Sequence, residues 1–98
     1  FKKIYQQKLN KILLVDVREE SEFKKYSIKG SISLPLSLIH KKSAFEFIKN
    51  HAKGKDVYTI CEKGIRSEKA SRILIQEKIE SVSIQGGLQE IGDINNII

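Results

Sequence analysis

The segment Cys61-Glu62-Lys63-Gly64-Ile65-Arg66-Ser67 holds the single cysteine of this 98-residue chain, together with a glycine and two cations. A thiol is a useful nucleophile only as its thiolate, and its pKa falls at a helix N-terminus and beside positive charge. A tight loop between a strand and a helix turns successive backbone N–H groups inward, which makes a concave site for an anion. Gly64 permits the backbone angles such a cradle needs, and Lys63 and Arg66 supply positive charge. A sulfur-bearing anion held by Glu62, Lys63, Gly64, Ile65, Arg66 and Ser67 can be attacked by Cys61 and leave its outer sulfur there. Against this stands the commoner role of a lone cysteine as a small buried hydrophobe. The glycine, the cations and the flanking elements tilt the reading toward chemistry.

Arginine usage points to the same region. The chain has three Arg against 15 Lys, so Arg stands where Lys is the default. Arg18 and Arg66 fall at predicted strand ends, where a planar fork grips a carboxylate or oxyanion as Lys does not. Arg72 lies mid-helix and reads as surface. Asp16 at a strand end caps a turn, and Arg18 with Glu19 or Glu22 makes at most a surface ion pair of little worth. His40 and His51 read as solvated.

The elements that must position these residues alternate in type. Residues 1–10 place Phe1, Ile4, Tyr5 and Leu9 at helical spacing. Residues 11–17 (KILLVDV) form a near-continuous apolar run of strand length, as in a strand buried on both faces. Residues 19–25 read as a short polar helix. Residues 28–36 hold a brief strand stopped by Pro35. Residues 43–52 are helical, with Gly54 just beyond. Residues 56–60 (DVYTI) are a strand ending directly at Cys61. Residues 64–67 form a loop, residues 68–78 a helix, and residues 81–84 a strand leading into Gly86-Gly87; the tail is irregular or weakly helical. Alternation of this kind predicts an α/β domain around a parallel sheet. Such sheets bind ligands beyond the carboxyl ends of their strands, where Asp16 and Cys61 both fall.

Bulk composition narrows the classes. The length allows one domain, residues 1–98, with one core. Hydrophobic residues at 40% and charged residues at 31% fit an ordinary globular chain. No apolar run approaches the roughly 20 residues of a membrane span. With no Met in the chain, it is expected to be a fragment or module of a longer protein. The net charge of +6 suits a small anion or an acidic protein partner. The basic residues do not interleave with the Tyr residues as a base-stacking platform requires, which argues against nucleic acid. One Cys and two distant His exclude a disulfide framework and a zinc spacing.

Four residues separate Cys61 from Arg66. The cysteine-dependent phosphatases carry a similar segment with five, giving a wider cradle for phosphate. The shorter loop favours sulfur transfer over a phosphatase or arsenate-reductase-like activity.

Together these segments resemble the rhodanese family over almost the whole chain. Leu14 to Phe23 (LVDVREESEF) looks like its first signature, a strand ending in Asp-x-Arg-Glu before a short helix. Ile28 to Pro35 (IKGSISLP) is similar to its Ile-x-Gly-Ala-x-Asn-Ile-Pro stretch. Cys61 to Ser67 resembles its active-site loop, and Gly86-Gly87 falls at its spacing. Three departures stand out. Tyr26 and Ser27 replace a usual Gly-His, with an expected effect on packing. Lys78 replaces a helix-closing Gly, so a different helix end is expected. Glu62 puts a carboxylate beside the thiol and is expected to face solvent.

The resemblance implies a compact rhodanese-like α/β domain, a central parallel sheet with helices on both faces, and sulfurtransferase activity. Cys61 would carry the sulfur as a persulfide, residues 62–67 would bind the donor, and Asp16 with Arg18 would organise the active-site face. It implies thiosulfate or a protein persulfide as donor and a sulfur-carrier protein as acceptor, with no metal or organic cofactor. A cytoplasmic monomer is expected. The rival reading is a non-catalytic protein-binding module that keeps the fold.

Overall fold

The computed structural model describes residues 11–91, with side chains through residue 89. The helix predicted over residues 1–10 and most of the predicted tail lie outside the described residues. Four strands, β1 (Ile12–Asp16), β2 (Ile32–Ser33), β3 (Asp56–Ile60) and β4 (Ser81–Ser83), form one sheet in the order β2-β1-β3-β4. All three pairings are parallel. The helices are α1 (Glu20–Lys25), α2 (Lys42–His51), α3 (Ile65–Gln76) and α4 (Gly87–Ile91), and a 3-10 turn spans Leu36–Leu38 behind Pro35. No helix among the described residues is long and apolar enough to cross a membrane.

β1 shows why the sheet is covered on both faces. All five of its residues are buried, and because strand side chains alternate they feed two separate cores. Leu13 and Val15 join Ile48 of α2 and Ala70 and Leu74 of α3. Ile12 and Leu14 join Ile28, Ile60, Ile84 and Leu88, the last from α4. Truncating a fully buried residue such as Leu14 to Ala costs about 2–5 kcal/mol.

The chain runs from β1 outward to β2, then returns to place β3 on the other side of β1. The crevice at such a reversal opens beyond the strand carboxyl ends. There the register sets Asp16 opposite Ile60, and the Val17 N–H donates to the Ile60 carbonyl at 2.9 Å. The segments that follow both strands, Val17-Arg18 after β1 and Cys61 after β3, therefore leave the same end of the sheet.

Two boundaries of α3 differ from the sequence expectation. It starts at Ile65, three residues before the predicted Glu68, so Arg66 and Ser67 lie in its first turn and not in a loop. Gly64, at φ 103°, turns the chain directly into the helix, and the Cys61 sulfur accepts the N–H of Ser67, a role a capping oxygen usually fills. At the other end Lys78 takes the left-handed position itself, at φ 63°. The Lys78 N–H bonds the Ile75 carbonyl and the Ile79 N–H bonds that of Leu74, both at 2.9 Å. This is the Schellman pattern, so the helix closes as it would on glycine. The contact between Ile79 and Leu74 within the core offsets the cost.

Candidate active site

Cys61 follows β3 directly and is 1% exposed. Its Sγ accepts the Gly64 N–H at 3.0 Å and the Ser67 N–H at 3.3 Å, with the Ser67 hydroxyl 3.5 Å away. Burial pushes the thiol pKa up. The Ser67 hydroxyl and the N–H groups of Ser67, Gly64 and Lys63 outweigh it, so the pKa lies below its ordinary value. The sulfur thus sits at the start of α3 where the helix dipole also favours negative charge. It reaches a cavity of about 360 Å³ lined by Glu22, Cys61, Glu62, Lys63, Ile65 and Arg66.

The loop around the sulfur is braced from behind. The Leu88 and Gln89 N–H groups of α4 donate to the Cys61 and Glu62 carbonyls, each at 2.9 Å. That approach is why Gly87 is a glycine: a Cβ there would lie 2.7 Å from the Glu62 carbonyl carbon and oxygen, and φ is +61°. Thr59 on β3 donates its hydroxyl to the Ser67 carbonyl at 2.8 Å and lies 2.9 Å from the Ser71 hydroxyl. This pins the first turn of α3 to the sheet.

Asp16 and Arg18 form a buried pair, 1% and 0% exposed. Arg18 Nε lies 3.0 and 3.2 Å from the two carboxylate oxygens and a terminal nitrogen lies 2.8 Å from Oδ2. The Arg18 backbone N–H adds a fourth bond at 3.0 Å. Desolvation works against the guanidinium charge, but the hydrogen bonds and charge of Asp16, together with Tyr26 and Glu62, outweigh it, so the Arg18 pKa is raised. The partner is Asp16 and not Glu19 or Glu22, and the pair is buried and not superficial.

Tyr26, one of the departures from the family pattern, joins this pair to the loop. Its carbonyl accepts an Arg18 N–H at 2.7 Å, and its ring lies under the guanidinium at 4.8 Å. Its hydroxyl donates to Glu62 at 2.7 Å. Glu62 also stands 3.7 Å from Arg18 Nη1, a nitrogen with no hydrogen-bond partner among the described residues. Glu62 is therefore only partly exposed, at 34%, and its carboxylate is engaged by Tyr26 and Arg18. Solvent exposure, expected from sequence, describes only part of its setting.

Arg66 makes a bidentate pair with Glu22 of α1, at 2.6 and 3.1 Å. Hydrogen bonding from Arg66 holds the Glu22 carboxyl at about 2, against the burial that would raise it. Lys63 is exposed and Ile65 projects at 64% exposure. The structure thus gathers all the predicted residues at one end of the sheet, with Arg66 occupied by a carboxylate and Lys63 the cation left at the rim. His40 and His51 are both exposed. No cluster of three or more His, Cys, Asp or Glu side chains suited to a metal occurs among the described residues.

Sequence reasoning passed over Tyr26, Glu22, Thr59 and Ser83 as site residues. The departure at position 26 was the one visible signal; the others lie on ordinary polar positions of helix or strand.

The model of the rhodanese-like domain family matches residues 2–93. A curated relative, the probable molybdopterin-synthase adenylyltransferase of Gracilaria tenuistipitata var. liui, is 33% identical over 69 residues. The match covers 70% of this chain and 19% of that protein. The rhodanese-related protein of Thermoplasma volcanium superposes with a TM-score of 0.74 at 29% identity, covering 91% of this chain and 84% of the other. A rhodanese-like domain protein of Staphylococcus aureus gives 0.76 at 25% identity, covering 93% and 84%.

Proposed function

The chain belongs to the rhodanese-like domain family, and on that premise we propose that it is a sulfurtransferase carrying sulfane sulfur on Cys61. The observation that carries this reading is the Cys61 sulfur itself. It faces a cavity and accepts N–H groups at 3.0 and 3.3 Å, an environment that favours thiolate over thiol.

With thiosulfate as donor, the Cys61 thiolate attacks the outer sulfur. The new S–S bond forms as the bond to the sulfonate sulfur breaks, and sulfite leaves with that electron pair. The persulfide that remains is an anion, and the N–H groups of Lys63, Gly64 and Ser67 hold its charge. An acceptor thiolate, or cyanide as an assay acceptor, then takes the outer sulfur and regenerates the Cys61 thiolate. Because Arg66 is paired with Glu22, the backbone and Lys63 carry most of the anion binding.

A protein persulfide serves the same first step, and a sulfur-carrier protein is the acceptor we favour. The adenylyltransferase relative supports a setting of that kind, and Lys63 at the rim offers a docking charge. Lys63→Glu is expected to slow transfer to a protein acceptor. An unchanged rate with the protein acceptor counts against charge-guided docking.

The decisive test is the intact mass before and after thiosulfate or a persulfidated desulfurase, with Cys61→Ser alongside. Gain of one sulfur by the wild type alone, removed by cyanide, supports the reading. No gain from either donor refutes it. The engagement of Arg66 by Glu22 favours a second reading, a binding module in which the loop holds a partner. That module would keep its function in Cys61→Ser.

A further inference from the structure

A second cleft of about 400 Å³ lies beside the mouth, lined by Lys63, Gly64, Ile65, Glu68, Ser83, Gln85 and Gly86. It shares Lys63 and Ile65 with the mouth but does not include Cys61. Ser83, the last residue of β4, lines it, and the Ser83 hydroxyl lies 2.7 Å from the Ser67 hydroxyl. Ser67 Oγ in turn lies 3.5 Å from the Cys61 sulfur. A continuous chain of exchangeable protons therefore runs from the buried sulfur to a solvent-reaching cleft on a different side of the loop.

The proton count makes Ser83 necessary. A serine hydroxyl has one proton and two lone pairs. Ser67 faces three possible acceptors: the Cys61 sulfur, the Ser83 hydroxyl, and the Gly64 carbonyl at 3.1 Å. In a relay through these groups the Cys61 S–H donates to Ser67, Ser67 turns its proton from the Gly64 carbonyl to Ser83, and Ser83 donates to solvent in the cleft. When the thiol ionises along this chain, the S–H bond breaks and the proton joins Ser67. The former Ser67 proton joins Ser83, and the former Ser83 proton leaves on a water molecule. Both hydroxyls stay neutral. Each ends pointing the other way, Ser83 donating to Ser67 and Ser67 donating to the thiolate.

We infer that Ser83 is a positioning residue for Cys61, acting through Ser67 as a hydroxyl relay that carries the thiol proton to the cleft and leaves Ser67 oriented toward the thiolate. Without the Ser83 donor, nothing in the relay biases the Ser67 proton toward sulfur, and the Gly64 carbonyl competes for it at the shorter distance. The charged groups around the thiol are Asp16 and Arg18 behind β1, and Glu22 on α1 with its partner Arg66 on α3. Glu62 and Lys63 in the loop and Glu68 beside the cleft complete the set. Ser83 contacts none of them by hydrogen bond or ion pair, so its replacement tests the hydroxyl chain alone.

The test is the pH dependence of iodoacetamide alkylation of Cys61 in the wild type, Ser83→Ala and Ser83→Thr. This readout does not depend on sulfur transfer, so it separates the relay from the sulfurtransferase reading. Ser83→Ala is expected to move the inflection to higher pH, slowing alkylation about three- to tenfold at pH values below the wild-type inflection. The rate at alkaline pH, where every molecule is thiolate, is expected to stay at the wild-type value. Ser83→Thr keeps a hydroxyl on a residue suited to strands and restores the profile. An unmoved inflection in Ser83→Ala, or a Thr variant that fails to restore it, overturns the relay.

Discussion

The Asp16–Arg18 pair gives the sharpest energetic prediction. Both side chains are essentially without solvent contact, and four of the bonds made by Arg18 go to the Asp16 carboxylate. Asp16→Leu leaves a buried guanidinium with the Tyr26 carbonyl at 2.7 Å, the Tyr26 ring at 4.8 Å and the Glu62 carboxylate at 3.7 Å. Breaking a buried pair from one side costs about 3–5 kcal/mol, a large part of the ~5–15 kcal/mol that holds a domain together. Arg18→Met strands the carboxylate and costs a similar amount. Removing both charges together removes the stranded ion, so Asp16→Leu/Arg18→Met is expected to lose less than either single variant. Urea unfolding of all four proteins measures this. With a slope of about 1–3 kcal/mol per molar, each single variant shifts its midpoint down by about 1–5 M. A single variant unfolded without urea, beside a folded double variant, is the same result in extreme form. A double variant whose loss equals the sum of the two singles refutes the argument, as does an Asp16→Leu cost below about 1 kcal/mol.

Three further outcomes follow from particular contacts. Gly87→Ala sets a Cβ against the Glu62 carbonyl in a left-handed residue; a loss of about 2 kcal/mol or more and slower Cys61 alkylation are expected by thermal unfolding and rate measurement. Lys78→Gly relieves a left-handed Lys, about 1–2 kcal/mol, less about 0.5–1 for the added chain entropy of glycine. The net gain is therefore about 0–1.5 kcal/mol, and the melting temperature should rise by up to about 12 °C. Glu22 is held at about 2 by Arg66, below an unfolded value of about 4.3. Its contribution is present above about pH 4.5 and is lost as the pH falls toward 2. Since the pair is about one-third exposed, that contribution is discounted to under about 1 kcal/mol, and stability curves of the wild type and Glu22→Gln should converge across that interval.

The legible part of the fold was the part written in local pattern. β3 matches its predicted limits, and β1 and α2 agree within a residue at each end, because apolar runs and helical spacing are set by the same side chains that fill the two cores. The start of α3 was missed because the capping group is a sulfur from the preceding strand end, which no capping preference anticipates. The site was legible as a set of residues and not as a set of partners. From the residues alone Asp16 reads as a turn cap and Arg18 as half of a surface ion pair, since a buried charged pair leaves no mark in hydrophobic periodicity. Arg66 meets Glu22 across 44 positions and Tyr26 meets Glu62 across 36. Contacts of that range depend on the crossover at β1, which a single sequence leaves open.

The partners change how the positive charge of the chain should be understood. Asp16, Glu22, Glu62 and, beside the neighbouring cleft, Glu68 stand around the thiol with Arg18, Lys63 and Arg66, four carboxylates against three cations. The surroundings of Cys61 thus carry no excess of positive charge, and the +6 belongs to the rest of the chain. On the sulfurtransferase reading, anion binding at the mouth then comes mainly from oriented N–H groups, which carry no counter-charge and are held in place by α4 and Thr59. A backbone cradle of this kind does not distinguish a free sulfur anion from one borne on a protein. Discrimination between them falls to the rim, where Lys63 and the exposed Ile65 stand. Substitutions there should alter the choice of partner, whereas substitutions at Ser67, Gly87 or Asp16 should alter the thiol itself.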